Sequence, residues 1–310
     1  MLEKAKRTIE EVKKVIVGKD EVIEKVIMVI FAAGHILLED VPGVGKTTLA
    51  MAFSKAMRLD YRRVQFTSDT MASDIVGFSI YDKESGGLTY KQGAAFCNLL
   101  LADEINRTSP KTQAALLEVM EEQQVSLDGV THTLPEPFIC IATQNPIGSA
   151  GTQNLPESQL DRFMVRLSMG YPSLESQIEI IKSRVIMDPL QSVESHLSPD
   201  EILQIRTQVK SIYAADEVIR YAAALCEATR TAPMLERGVS PRAVIAVVSL
   251  AKAHAYLQGR DFLIPEDIQA VFIDTCCHRL ILKPQAKVRK EAAAEILENV
   301  MNTEKAPALV

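Results

Sequence analysis

Cysteine is scarce: five residues among 310, an odd number, which is not the pattern of a disulfide-stapled scaffold. Positive charge is not in excess either. Lys and Arg number 34 against 40 Asp and Glu, a net charge of −6, so the chain as a whole is not drawn to nucleic acid or anionic membrane, and only a local basic groove could be. Long apolar runs are missing. The longest, Val26 to Leu38, already contains His35 and stops at Glu39, short of the ~20 residues that span a bilayer. The opening stretch MLEKAKRTIEEVKK is charged throughout and has none of the apolar region of a secretory signal. Internal repeats and low-complexity tracts are absent. No Asn-Lys-x-Asp guanine-reading motif occurs, nor His-Arg-Asp or Asp-Phe-Gly, which argues against small GTPases and protein kinases. What is there is ordinary globular composition, 47% hydrophobic and 24% charged, in a chain long enough for about two domains. It reads as cytosolic.

Leu2, Ala5, Ile9, Val12 and Ile16 recur at helical spacing with charges between them, so the chain begins with an amphipathic helix. Val17-Gly18 interrupts it, and a second helix runs from Asp20, a residue suited to capping, to Gly34. His35 to Leu38 reads as a short buried strand leading into the turn Val41-Pro-Gly-Val-Gly45, with a helix over Thr47 to Met57 after it. Asn98 to Ala102 and Phe138 to Ala142 are near-continuous apolar runs ending at polar residues, the pattern of strands covered on both faces in a parallel sheet. Asp128-Gly129 between Val125–Leu127 and Val130–Leu134 predicts a hairpin. After a break near Pro172 the pattern is helical over 174–186, 200–211, 214–231, 240–257, 265–279 and 287–301, with Pro199, Pro241 and Pro265 as openers. Thr303 to Val310 reads as a frayed tail. The expectation is an α/β core over residues 1–171 and an all-helical lid over 172–310.

The chemistry concentrates at four places. In the run Gly43-Val-Gly45-Lys46-Thr47, glycines let backbone N–H groups curl around a β-phosphate. The lysine then reaches the β/γ oxygens, the threonine hydroxyl binds Mg²⁺, and the helix start adds its positive end. The full G-x-x-x-x-G-K-T pattern is broken at its first glycine, which is Asp40. A dinucleotide fingerprint would need a glycine where Thr48 stands. Leu99 to Glu104 is an apolar strand ending in two carboxylates: Asp103 is placed to hold Mg²⁺, and Glu104 to orient and deprotonate a water. Asn145 ends the next apolar strand, where it would sit at the same sheet edge and help place that water. Arg162 stands where a finger reaching a neighbour could sit, with Arg107 and Arg166 as competitors. Two smaller features carry bland readings. Cys276-Cys277-His278 looks metal-like, but adjacent helical residues point about 100° apart, so core packing is expected. Arg62-Arg63 reads as solvated surface.

LLEDVPGVGKTTLA (37–50), LLLADEINRTSPKTQAALLEVMEE (99–122), ATQNP (142–146), LPESQLDRF (155–163) and GVSPRA (238–243) occur in this order, and together the chain resembles the MoxR family of AAA+ ATPases over nearly its whole length. That family often carries Asp at the position of Asp40. The resemblance implies a P-loop core with a parallel sheet between helices and a helical lid, hydrolysing Mg·ATP in the cleft between them. Pro42, Gly43, Val44, Gly45, Lys46, Thr47 and Thr48 then form Walker A, and Asp103 and Glu104 form Walker B. Asn145 becomes sensor 1, Arg162 the arginine finger offered to a neighbouring subunit, and Arg242 sensor 2 on the lid. Val17 and Gly18 correspond to the segment near the adenine. Insertions are expected within Ser68–Gly93 and at the Val125–Leu134 hairpin, facing a pore or a client. The resemblance further implies a hexameric ring that remodels or activates a separate protein, often one with a von Willebrand factor A domain, including insertion of metal cofactors. The alternatives are a nucleic-acid motor, which the acidic balance disfavours, a metal-chelatase motor subunit, and a non-hydrolysing scaffold, which Glu104 disfavours.

Overall fold

Alternation of side chains along five parallel strands builds the centre of the molecule. The computed structural model describes residues 1–83, 86–145, 155–186, 188–288 and 292–308. Within them β1 (Ile36–Glu39), β2 (Tyr61–Gln65), β3 (Leu99–Asp103), β4 (Ile139–Gln144) and β5 (Val165–Leu167) pair in the order β2-β3-β4-β1-β5, all parallel. Successive strand residues face opposite layers. Leu38, Leu99, Leu101, Ile139 and Ile141 enter one core, and Leu37, Leu100, Ala102, Cys140 and Ala142 enter the other. The register sets Glu39 beside Gln144 and Gln65 beside Asp103, so the strands finish level and their polar ends share one edge.

Helices α1 (Leu2–Val15), α2 (Asp20–Phe31) and α3 (Lys46–Ala56) cover the first face. α4 (Pro110–Glu122) covers the second; Ser109 caps it by accepting the Thr112 N–H at 3.3 Å. α2 stops at Phe31 rather than Gly34, because Ala33 takes φ of 57° and turns the chain toward β1. A Cβ on Gly34 would come within 2.6 Å of Met164, so the close approach requires glycine there. Two antiparallel hairpins extend from this core: Gly77–Asp82 with Gly87–Gln92, and Gln124–Leu127 with Val130–Thr133. The second is the one expected at Asp128-Gly129, with φ of 51° and 78° at the turn. The first lies in the Ser68–Gly93 stretch. Tyr90 stacks on His132 with ring centroids 4.0 Å apart, so the two hairpins touch.

Beyond β5 come α5 (Leu174–Ile186), α6 (Pro199–Ser211), α7 (Asp216–Thr231), α8 (Pro241–Leu257), α9 (Pro265–Cys276) and α10 (Ala293–Thr303). The expected 265–279 helix ends at Cys276 and continues as a 3-10 turn over Cys277–Arg279. In place of one helix over 287–301 stand a short Pro284–Val288 turn of helix and α10; residues 289–291 lie outside the described ones, as do 309–310 of the tail. α8 packs on α2 and α9 on β5. Val247, Leu250 and Phe272 share one continuous core with Ile27, Ile30 and Phe31. Among the described residues no helix is long and apolar enough to cross a membrane.

Candidate nucleotide site

The loop after β1 is shaped by two glycines. Gly43 and Gly45 take φ of 88° and 100°, a region open to glycine and costly for other residues. No atom lies within 4 Å of a Cβ built on Gly43, so backbone conformation and not crowding makes glycine necessary. Gly45 is the N-cap of α3, whose first N–H groups have no partner within the helix and make a place for an anion. Lys46, the first residue of α3, is buried, and its Nζ donates to the Asp40 backbone carbonyl at 2.8 Å. Burial lowers the pKa of this amine, opposed by the charges of Asp40, Asp103 and Glu104. The lysine therefore stands in the field of both carboxylates that end β3. Thr47 and Thr48 follow, half-buried, on the first turn of α3, and Pro42 is exposed in the loop.

Asp103 and Glu104 are held from several sides. Asp103 accepts the Thr143 hydroxyl at 2.6 Å on Oδ1 and pairs with Arg63 Nη2 at 2.7 Å on Oδ2. Glu104 takes φ of 59° and donates its N–H to Thr143 Oγ1 at 2.9 Å. A left-handed conformation costs a non-glycine residue roughly 1–2 kcal/mol, and here it redirects the side chain where the strand ends. Glu104 Oε1 accepts from Asn145 Nδ2 at 3.0 Å, and Oε2 pairs with Arg107 Nε at 3.0 Å. Asn145 is buried, its backbone gripped by Asn106 through bonds of 3.1 and 3.4 Å. Its Oδ1 is buried and has no partner among the described residues. Thr143, Arg63 and Asn106 were not singled out from sequence as parts of this site. Arg62 and Arg63 are at the surface, as expected, but both are engaged: β2 lies against β3, so Arg63 reaches Asp103, while Arg62 donates to the Gly93 carbonyl at 3.0 Å. Arginines at alternate-face positions of an edge strand were the available signal.

Asp40 explains the broken phosphate-loop pattern. Its buried carboxylate accepts from Ser168 Oγ at 2.7 Å, Met169 N–H at 2.6 Å and Gly170 N–H at 3.0 Å, tying the loop to the segment that follows β5. That segment leads to a cavity of about 260 Å³ whose lining includes Val17, Val44, Gly45, Thr48, Met169 and Ile180. Gly18 supports it from outside: its φ is 71°, and a Cβ there would strike Ser176 Oγ at 2.3 Å.

Arg162 and Arg242 stand elsewhere. Both pair with Glu121, Arg162 Nε at 3.3 Å and Arg242 Nη2 at 2.6 Å. They line a second cavity together with Ala33, Gly34 and His35. Those residues precede β1 whereas the phosphate loop follows it, and four strand residues span about 13 Å. The structure thus brings Lys46, Asp103, Glu104 and Asn145 together but leaves Arg162 and Arg242 away from their own phosphate loop. Arg107 is engaged by Glu104, and Arg166 by Glu39 at 2.9 Å. Pro146, the last residue of the 142–146 motif, lies outside the described residues. Cys276 and His278 are buried, and His278 Nε2 donates to the Phe163 carbonyl at 3.0 Å, in keeping with a packing role.

A sheet ordered β5-β1-β4-β3-β2, with its phosphate loop after β1, next to the central β4, and a helical lid behind, places the molecule among the AAA+ ATPases. Comparison with known proteins narrows this. Residues 35–165 match the ATPase family associated with various cellular activities (AAA), and residues 227–300 match the AAA lid domain. Chaperone MoxR1 of Mycobacterium tuberculosis is 36% identical, covering 96% of this chain and 81% of the relative. The uncharacterized protein YeaC of Bacillus subtilis is 41% identical over 97% of this chain and 94% of its own length. A candidate ATPase from Cytophaga hutchinsonii, known from a crystal structure at 37% identity, superposes with a TM-score of 0.92 over 99% of this chain and 96% of that one. The chain belongs to the MoxR family of AAA+ ATPases.

Proposed function

We propose that this chain hydrolyses ATP to ADP and phosphate with Mg²⁺, as a ring of identical subunits that remodels a protein partner. The observation that carries the chemistry is Asn145 holding Glu104 Oε1 at 3.0 Å within the charge field of Lys46. Lys46 leaves the Asp40 carbonyl to meet the β/γ oxygens, and the free N–H groups at the start of α3 receive the β-phosphate. Glu104 takes the proton of the attacking water. Asn145 fixes that carboxylate through Nδ2, while its unpartnered Oδ1 is free to accept from the water. The donor set suits Mg²⁺, with a carboxylate at the strand end and a hydroxyl on the first turn of α3: Asp103 and Thr47 would hold the ion, which when bound neutralises charge on the phosphates. The Val17-lined cavity takes the base.

Arg162 completes the site of a neighbouring copy, and Arg242, sharing Glu121 with it, faces the same neighbour. The ring is hexameric by family likeness. The chaperone reading follows the name of the Mycobacterium tuberculosis relative. A client with a von Willebrand factor A domain, and insertion of a metal cofactor into it, follow from the family alone. The test is phosphate release and binding of a fluorescent ATP analogue by Glu104→Gln. Loss of the base is expected to cut turnover by on the order of 10²–10⁴-fold with nucleotide affinity retained; equal turnover in the two proteins overturns the assignment. Held in its ATP state, Glu104→Gln should also retain, in a pull-down from cell extract, a protein that the wild type releases. Recovery of nucleic acid without enriched protein would favour the motor reading instead.

A further inference from the structure

We infer that α5 of one subunit docks as an apolar ridge into a groove between α6, α7 and α8 of the next copy of this chain. The inference rests on the ring reading above and names the surfaces that close the ring. Leu174, Ile178, Ile181 and Val185 follow one another at steps of four, three and four residues and therefore form one stripe along α5. They are 66, 45, 62 and 80% exposed, and Tyr171 just before them is 74% exposed. A helix turns such a stripe toward a partner surface; the side of α5 that meets its own chain lies next to it, where Gln177 and Ile180 line the base cavity and Ile181 is shared between the two.

The complementary shape lies on the same molecule. A cavity of about 350 Å³ is lined by Val209, Ile219, Val244, Ile245 and Val248, with Lys210 and Lys252 also contributing to its walls. The row beside the ridge holds Glu175, Glu179 and Lys182, all exposed, one residue beyond Leu174, Ile178 and Ile181. Apolar meets apolar, and the two carboxylates of that row face the basic rim. Position selects a second copy as the occupant. Ile245 and Ser249 line both the groove and the cavity of Arg162 and Arg242, so those two features are continuous. Ile181 belongs both to the ridge and to the base cavity. A head-to-tail contact that carries the arginine pair of one copy toward the phosphate loop of the next therefore carries the groove onto the ridge. Such a heterologous contact closes into a ring when its rotation allows.

The experiment uses the full chain with ATP in the Glu104→Gln background, followed by sedimentation velocity across protein concentration. Ile178→Asp and Ile219→Asp are each expected to raise the concentration for half-assembly at least tenfold. The monomer's affinity for fluorescent nucleotide and its melting temperature should not change. Glu179→Lys and Lys210→Glu each weaken assembly, and the two combined recover it, which a folding defect would not do. Mixing Ile178→Cys with Ile219→Cys under mild oxidation should give a disulfide-linked dimer of one of each. Assembly untouched by all four substitutions, with no cross-link, overturns the ridge and groove; if activity is then still rescued by mixing Arg162→Ala with Lys46→Ala, the ring reading stands alone. A wild type that stays monomeric with ATP at every concentration overturns both.

Discussion

Asp40 occupies a position where a phosphate loop ordinarily has glycine, and it performs two tasks that glycine could share only in part. Its carbonyl gives Lys46 a resting partner, which any residue would supply, while its carboxylate gathers three donors from Ser168, Met169 and Gly170. Replacing Asp40 by glycine restores the commoner motif and leaves two backbone N–H groups without that acceptor. A buried donor left unpaired costs about 1–3 kcal/mol. Asp40→Gly is therefore expected to melt several degrees lower and to raise the KM for ATP more than it lowers kcat, because Lys46, Asp103 and Glu104 remain. Thermal melts and steady-state kinetics check this, and an unchanged melting temperature would refute it. The residues proposed to carry the chemistry, Lys46, Asp103, Glu104 and Asn145, were legible from their spacing, and the fold brings them together. Their supports were not, because Thr143 and Arg63 reach Asp103 only through strand register, which a single sequence does not reveal.

The elements that position the lid include an ion cluster between α8 and α9. Asp267 is fully buried, accepts two N–H groups of Arg260 and the Ile264 N–H, and meets His254 Nδ1 at 2.6 Å. Burial alone would raise its pKa, but Arg260, His254 and the Ile264 amide outweigh it and hold the carboxyl at about 2, against an ordinary value of 3.8. Because the folded value is the lower one, the contribution to stability is complete above about pH 3.8 and is lost as pH falls toward 2. The wild type should lose melting temperature across that window more steeply than Asp267→Asn, as followed by circular dichroism. Element identity was well announced where amphipathic spacing and proline openers agreed, as in α6 and α8. It was hidden in β2, whose Tyr-Arg-Arg-Val-Gln sequence lacks an apolar run because the strand lies at the sheet edge. The three-residue β5 was too short to show a period. In the Gly77–Gln92 hairpin the Ser85-Gly86-Gly87 turn signal did not stand out as Asp128-Gly129 did, and only the polar, glycine-bearing composition marked the region.

For the whole molecule, the separation of Arg162 from its own phosphate loop means that, in the proposed ring, activity would be a property of pairs of subunits. A finger supplied by a neighbour is worth on the order of 10³–10⁵ in rate. Arg162→Ala and Lys46→Ala should each be nearly inactive, the first while still binding ATP. Their mixture should recover measurable phosphate release, because one subunit supplies the arginine and the next an intact pocket. No recovery across mixing ratios, with co-assembly demonstrated, would direct attention to Arg107 or Arg166. The shared core of α2 with the lid has a thermodynamic counterpart. Ile27, Ile30 and Phe31 are buried against residues more than two hundred positions away in sequence, and Arg206 Nε fastens to the Ile30 carbonyl at 2.9 Å. Heat cannot strip the lid without opening that layer to water, so a calorimeter should record one endotherm for the whole chain, and a fragment of residues 1–171 should fail to give a cooperative transition of its own.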